Sequence, residues 1–454
     1  MKNRIVRYFE DRLSNLPDHI IHYILSFLES DEVVKISVLS KRWRYLCASV
    51  PYFDLNINSF FSKREMDCDH DAFIDLVNRV LHFQNGSLTL LRFRLNTGSD
   101  EEWNIDEWIS EAVKRNVQEV DITTCPWENK VELPCSLVNC DSLRGLRLEL
   151  EYCCLKLPRT GFGRLKSLHL LKAELLVDDS VGGLISSCPL LVDLSLKECG
   201  LWKLNILEIS SNSLRNLTIE NSEYACGGLW DSKLVVSCGK LVSFKYLGPI
   251  AKDYIFQNLS SLDTVDIQLI AESKKVKGRE VGYLLCKMLH GFHNACALKL
   301  CDLFLQFLGE ALDEPRWFWQ PCYNLKSLKL SARTCPCRVQ SILHLLGLSP
   351  NLDALVILLA ETYGKHEDCQ FDDDRVLACL GNRLRTVKLI DFRGKENEFE
   401  LVRPILQNGH VLETVTINGP VSVWKQAKII ERIKEFSPSS SNVVVKVARG
   451  PRFF

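Results

Sequence analysis

LRGLRL at 143–148 and LKSLHL at 165–170 carry one pattern, apolar-x-x-apolar-x-apolar. LRNLTI at 214–219 and LKSLKL at 325–330 are equally clear copies. Further copies begin at Leu88, Val117, Leu191, Leu241, Leu262, Ala295, Leu352, Leu384 and Leu412, that at Ala295 with the weakest register. Successive starts differ by 21 to 33 residues, with a mean of 27.

That mean falls in the range of leucine-rich repeats, roughly 20–29 residues. One motif offers three inward side chains, worth roughly 5–9 kcal/mol if fully buried. Ordering the backbone costs on the order of 1–2 kcal/mol per residue, so a lone repeat does not fold. Stacked repeats share strand hydrogen bonds and one continuous apolar core. The alternation Leu146-Arg147-Leu148 sends the middle side chain to the opposite face, the concave one on a curved solenoid. The asparagine of regular repeats is mostly missing, so the turns need not be uniform. The long steps at 270–289 and 360–380 read as charged loops followed by helices on the convex side. The expected fold class is α/β.

Upstream, 20 of the 38 residues between Leu13 and Val50 are apolar or aromatic. In LSNLPDHIIHYILSFL, Ile20, Ile24 and Leu28 share one side of a helix, with Ile21 and Leu25 alongside. Pro17 suits a helix start, where its missing amide proton has no partner to lose. Ser30 or Asp31 suits the cap of a second helix, and Ser40 that of a third. So small a bundle has more large apolar side chains than three short helices hide from each other. Either the rest of the chain or another protein covers the surplus.

The 454-residue chain carries 56 Lys and Arg against 57 Asp and Glu, a net charge of -1. That balance argues against a general nucleic-acid binder. No stretch reaches the roughly 18–20 apolar residues of a membrane span. The first residues have charges where a secretory signal needs an apolar centre. The 19 cysteines show no disulfide spacing and read as reduced, buried thiols, which suits cytoplasm or nucleus.

Residues 13–50 resemble the F-box of plant F-box proteins, through LPDHIIHYILSFL, VLSKRWRYL and the spacing of Leu16-Pro17 to Trp43. Ile36 and Cys47 depart from the family pattern, which has Thr and often Trp there. The resemblance implies a Skp-type adaptor as partner, and through it a cullin. It places Leu16, Pro17, Ile20, Ile24, Val34, Leu39 and Trp43 against that adaptor. CPLLVDLSL at 188–196 and SPNLDALVI at 349–357 are similar to the family's lead into a strand. Residues 379–417 and 429–447 resemble its FBD segment, with Pro404 expected to kink or shorten a helix there. The implied organisation is a tail at 1–10, an F-box of three helices at 11–54, a curved leucine-rich-repeat solenoid with strands on its concave face at 55–378, and an FBD-like segment at 379–454.

Other motifs point to no chemistry. Cys335-Pro336-Cys337, near Cys322, lacks the second ligand pair of a zinc site. The histidines of HGFHNAC and HEDC lack the helix-borne acid of a metalloprotease. Asp372, Asp373 and Asp374 suit a helix N-terminus. The basic run at 273–278 has no interleaved aromatics for stacking on nucleic acid. Neither a phosphate loop nor a nucleophile elbow is present. The expectation is no catalytic residue, metal or cofactor, and neither nucleic acid nor membrane as partner. Trp317, Phe318 and Trp319 are either target-protein contacts or plugs of the solenoid core. The leading expectation is a non-catalytic, target-binding subunit of a cullin-type (SCF) ubiquitin ligase. The alternative is a repeat scaffold or ligand receptor acting without such a ligase.

Overall fold

The computed structural model describes residues 13, 15–62, 70–83, 90–99, 105–125, 130–158, 161–175, 178–201, 203–222, 229–270, 278–312, 319–360, 380, 382–419, 423–436, 439–440 and 443–449. The chain divides into two compact units, Met1–Leu176 with Gly183–Leu191, and Val177–Gly182 with Val192–Phe454.

The first unit opens with helices α1 (Asp18–Leu25), α2 (Ser30–Ile36) and α3 (Lys41–Ala48). Then come β1 (Tyr52–Asn56), α4 (Ile57–Ser62), α5 (His70–Phe83), β2 (Arg92–Ser99), α6 (Ile105–Lys114), β3 (Glu119–Cys125), β4 (Lys130–Glu132), α7 (Cys135–Val138), β5 (Gly145–Lys156) and β6 (Ser167–Glu174). Strands β1, β2, β3, β5 and β6 are neighbours in that order, with β4 beside β5 and parallel pairing throughout. Helix α8 (Asp178–Ser186) contributes residues to both units.

In the second unit, β7 (Asp193–Lys197), β9 (Asn216–Glu220), β11 (Ser243–Pro249), β13 (Thr264–Ile270), β14 (Ala297–Leu300), β15 (Ser327–Arg333), β16 (Ala354–Ala360), β17 (Thr386–Ile390), β18 (Thr414–Gly419) and β19 (Val444–Arg449) are successive parallel neighbours. Between them lie α9 (Gly278–Gly291), α10 (Asp302–Gly309), α11 (Pro336–Gly347), α12 (Glu396–Asn408) and α13 (Val423–Lys434). This mixed α/β stack is the leucine-rich-repeat arrangement expected. The steps from Leu191 to Leu262 return instead through β8 (Ile206–Ser210), β10 (Lys233–Ser237) and β12 (Asp253–Gln257), a second small parallel sheet. A strand advances more than twice as far per residue as a helix, so it suits the shorter returns.

The three inward positions are buried in every fully described copy, as in Leu143, Leu146 and Leu148. The weak copy holds: Ala295, Leu298 and Leu300 are buried, and Leu298 is level with Val265 on one side and Leu328 on the other. The start at Leu88 is corrected. That residue lies outside the described ones, and the buried triad is Leu90, Phe93 and Leu95, with Phe93 level with Val120. Both frames satisfy the pattern, and pairing with the neighbouring strand selects one. One further copy went unread, because Val50, Phe53 and Leu55 form it across the end of α3 and β1.

A recurrent turn precedes the strands. The motif's first amide donates to the carbonyl three residues earlier, as in Leu143 to Cys140, Leu191 to Cys188, Leu241 to Cys238, Leu325 to Cys322 and Leu352 to Ser349. Four cysteines occupy this buried position. Burial pushes the thiols of Cys188, Cys238 and Cys322 up to about 11. A small side chain with a weak donor fits so confined a turn.

The helix expected after the loop at 270–289 is α9, whereas nearly all of 360–380 lies outside the described residues. Helix α12 runs for 13 residues through the buried Pro404, so the proline does not shorten it. The structure thus keeps the helix where one amide hydrogen bond is missing.

Candidate interaction surface of the N-terminal helices

Local chemistry explains where the three helices begin. The carbonyl of Pro17 accepts from the amides of Ile20 and Ile21, starting α1. The Arg42 guanidinium reaches back from α3 to the Leu16 carbonyl and the Asp18 carboxylate, at 2.7 Å each. Ser40 caps α3 as expected, its hydroxyl accepting from the Trp43 amide at 3.2 Å. The cap of α2 is corrected: Glu29 occupies the position without a side-chain bond. The Ser30 hydroxyl accepts from the Asp54 amide instead, and Asp31 pairs with Lys35 at 2.8 Å. Ser30 therefore ties α2 to β1, and β1 pairs with β2. The bundle and the first repeat share a strand that crosses residue 54 without a linker.

Ile21, Leu25, Val33, Trp43, Leu46, Cys47 and Val50 form the core of the bundle. Leu16, Leu28, Ile36 and Tyr52 pack against it while half-buried. The Cys47 thiol, pushed up to about 11 by burial, is inert packing. Ile36 and Cys47, the two departures from the family pattern, both contribute to this interior.

The opposite surface is apolar as well. Ile20, Tyr23 and Ile24 on α1, with Phe27 in the turn that ends it, follow the i, i+3, i+4, i+7 spacing of one stripe, separate from the inward stripe of Ile21 and Leu25. Tyr23 and Phe27 meet edge to face at 4.9 Å. Phe27 is 72% exposed, Val38 75%, Leu39 68% and Tyr45 71%. A helix apolar on two faces normally has both covered.

Of the residues expected at the adaptor, Pro17, Ile20, Ile24 and Leu39 are exposed. Leu16 and Val34 are half-buried. Trp43, 8% exposed, lies within the bundle's own core and offers almost no area to a partner. Leu13, Tyr23, Phe27, Val38 and Tyr45 are exposed residues that sequence reasoning missed. Their signal was the second stripe on α1 and the apolar pair ahead of Ser40.

Elsewhere, Trp317 and Phe318 lie outside the described residues. Trp319 is buried, its ring 4.3 Å from that of His344, and so serves as packing in the repeat core rather than as an exposed target contact. Cys335 and Cys337 place their sulfurs 2.9 Å apart at the start of α11. The Cys335 thiol donates to Cys337, and with the Arg338 guanidinium 3.6 Å away this holds the Cys337 thiol below its ordinary range. Among the described residues, no group of three or more His, Cys, Asp or Glu is placed to hold a metal ion. No described helix is long and apolar enough to cross a membrane.

Comparison with known proteins agrees with this geometry. The F-box domain family matches residues 13–55, and the At1g61320/AtMIF1 LRR domain family matches residues 82–452. The F-box/FBD/LRR-repeat protein At5g22660 of Arabidopsis thaliana is 26% identical, covering 99% of each chain. The FBD-associated F-box protein At5g22730 of the same plant is also 26% identical, over 90% of this chain and 88% of the relative. The Arabidopsis F-box/FBD/LRR-repeat protein At5g56420 is 33% identical over 50% of this chain and 53% of its own. With helices of the F-box at its N-terminus and repeats of the LRR family over most of its length, this chain belongs to the plant F-box/leucine-rich-repeat proteins that carry an FBD segment.

Proposed function

We propose that this protein is the substrate-recognition subunit of an SCF-type ubiquitin ligase. In this reading the F-box binds a Skp-type adaptor, the adaptor joins it to a cullin, and the repeats hold a target protein. The chain itself is non-catalytic and works in the cytoplasm or nucleus. The proposed division of labour is an F-box at 11–54, repeats at 55–378 and the FBD at 379–454.

One observation carries the reading. Beside a completed core, the three helices leave Leu13, Ile20, Tyr23, Ile24, Phe27, Val38, Leu39 and Tyr45 exposed. Fully burying each such side chain is worth about 1.5–3 kcal/mol, enough together for a stable protein interface. A solvated helical module gains nothing from that area, whereas an adaptor groove does. The strand shared between the bundle and the first repeat supports a firm seat for the F-box on the repeats of its own unit.

The test is co-purification of the full chain with a Skp-type adaptor. Capture is expected. Polar replacement of Leu16, Pro17 and Ile20 should abolish it while the repeats stay folded. Wild-type protein that captures no Skp-type adaptor refutes the reading.

A further inference from the structure

We propose that the outward strand face of the second unit, from β15 to β19, binds an acidic, extended segment of the target, with an apolar side chain between its carboxylates. The proposal rests on the reading that the repeats hold a target protein, and it supplies that target's chemistry.

The residue between the last two inward positions of each motif points away from the core. In the first unit this row and its neighbours neutralise themselves. Arg94 pairs with Asp54 at 3.0 Å and with Asp121 at 3.2 Å. Arg147 pairs with Asp121 at 3.2 Å and with Glu149 at 3.1 Å, and Lys172 closes the series on Glu149 at 3.1 Å. Among the described residues, the charges of this row are paired with one another.

The second unit begins in the same way. Glu220 pairs with Lys197 and Lys245, and Asp266 with Lys299. From β15 onward the strands themselves carry no acid. Lys329, Lys388 and Lys446 hold the row on alternate strands, connected in register through Val356 and Thr416. All three lysines are exposed. Among the described residues, none has a carboxylate within ion-pair distance. A chain with a net charge of -1 has no general excess of lysine to explain this segregation.

Val356, Leu358 and Ile390 sit beside the lysines on the same face, with Leu358 level with Ile390. Leu358 is 37% exposed. Strands are about 4.8 Å apart, so lysines on alternate strands recur roughly every 10 Å. An extended chain covers that distance in about three residues. In the polyproline II form, with three residues per turn and a rise of about 3.1 Å, every third side chain lies on one side about 9 Å on, so a segment in that form with a carboxylate at every third position meets each lysine in turn. An apolar residue between two carboxylates then splays to one side of the row, where Leu358 and Ile390 lie level. Single-stranded nucleic acid fits less well, because the lysines are interleaved with aliphatic residues and not with aromatic stacking surfaces.

The test uses the full chain and a fluorescein-labelled peptide with Glu at every third position, Leu between them and Ser elsewhere, followed by fluorescence anisotropy at low salt. Its Gln-for-Glu counterpart is the control. The acidic peptide should bind about tenfold more tightly than the Gln peptide, with the preference fading as salt rises. Combining Lys329→Glu, Lys388→Glu and Lys446→Glu should weaken it about tenfold or more, and the three Lys→Gln changes should weaken it less. Replacing the exposed Lys166, Lys240 and Lys434 by Glu should leave the preference in place. Equal affinity for the Glu and Gln peptides overturns the proposal, as does a preference that survives all three reversals. Equal or tighter binding of an oligouridylate that competes with the peptide also overturns it, assigning the face to nucleic acid. Adaptor capture is read on the same preparations. Capture without peptide preference sinks this proposal alone, whereas preference without capture sinks the F-box reading and leaves this one standing.

Discussion

Replacing Phe27 by Ala separates a binding role of α1 and the turn that ends it from a folding role. Phe27 is 72% exposed, and its ring touches Tyr23 edge to face. An aromatic side chain buries about 150–250 Å² when covered, so roughly 110–180 Å² remains to be hidden by a partner. At about 25 cal/mol per Å² that area is worth roughly 3–4.5 kcal/mol. Alanine keeps part of the contact and docking is rarely perfect, so a loss of about 2 kcal/mol is expected, or about thirtyfold in Kd for a Skp-type adaptor. Folding stability should fall by less than about 1 kcal/mol, because the mutation gives up little more than the Tyr23 contact. Leu25→Ala, at a position 1% exposed, should reverse the pattern and cost about 2–5 kcal/mol of stability. Calorimetric titration with the adaptor and thermal unfolding read the two quantities. A Phe27→Ala protein that binds within twofold of wild type, or that unfolds as readily as Leu25→Ala, refutes the reasoning.

Cys337 should be alkylated by iodoacetamide at neutral pH ahead of the buried thiols, because its lowered pKa leaves more of it as thiolate there than of an ordinary thiol; peptide mass spectrometry should find it modified before Cys47, Cys188, Cys238 and Cys322, whose pKa values burial raises. Equal rates would remove the Cys335 and Arg338 contacts as the cause. Leu298→Ala, in the weakest repeat copy, should still cost about 2–5 kcal/mol in chemical unfolding, since its side chain is fully enclosed between strands. Gly419→Ala should destabilise the end of β18, because the added methyl would run into the Phe392 backbone carbonyl, which cannot move aside as a flexible side chain does; unchanged thermal unfolding would contradict that packing. Ser40→Ala should remove the cap of α3 at a cost of about 1 kcal/mol in the same measurement.

The repeat core was legible because its signal is local: three apolar residues at fixed spacing, with strand alternation assigning every side chain to a face. Even the Ala295 copy was readable on that basis. The frame at Leu88 was not, since Leu88, Leu91 and Phe93 satisfy the pattern as well as Leu90, Phe93 and Leu95 do. Level pairing of Phe93 with Val120 belongs to the neighbouring strand, 27 residues away. The cysteines at the turns were readable as buried thiols, but their common hydrogen-bonding position emerges only when the repeats are stacked.

At the N-terminus, the sequence by itself established three helices and a surplus of apolar area, because helical periodicity and composition are properties of the chain alone. Which side chains carry the surplus was decided by tertiary packing. Trp43 turns into the bundle while Tyr23, Phe27, Val38 and Tyr45 stay outside, and no local rule distinguishes one large apolar residue from another. The lysines of β15, β17 and β19 were likewise visible as charges, but their alignment and lack of acidic partners depend on parallel register between residues nearly sixty positions apart. Periodicity sorts residues onto faces; only the folded chain decides what each face meets.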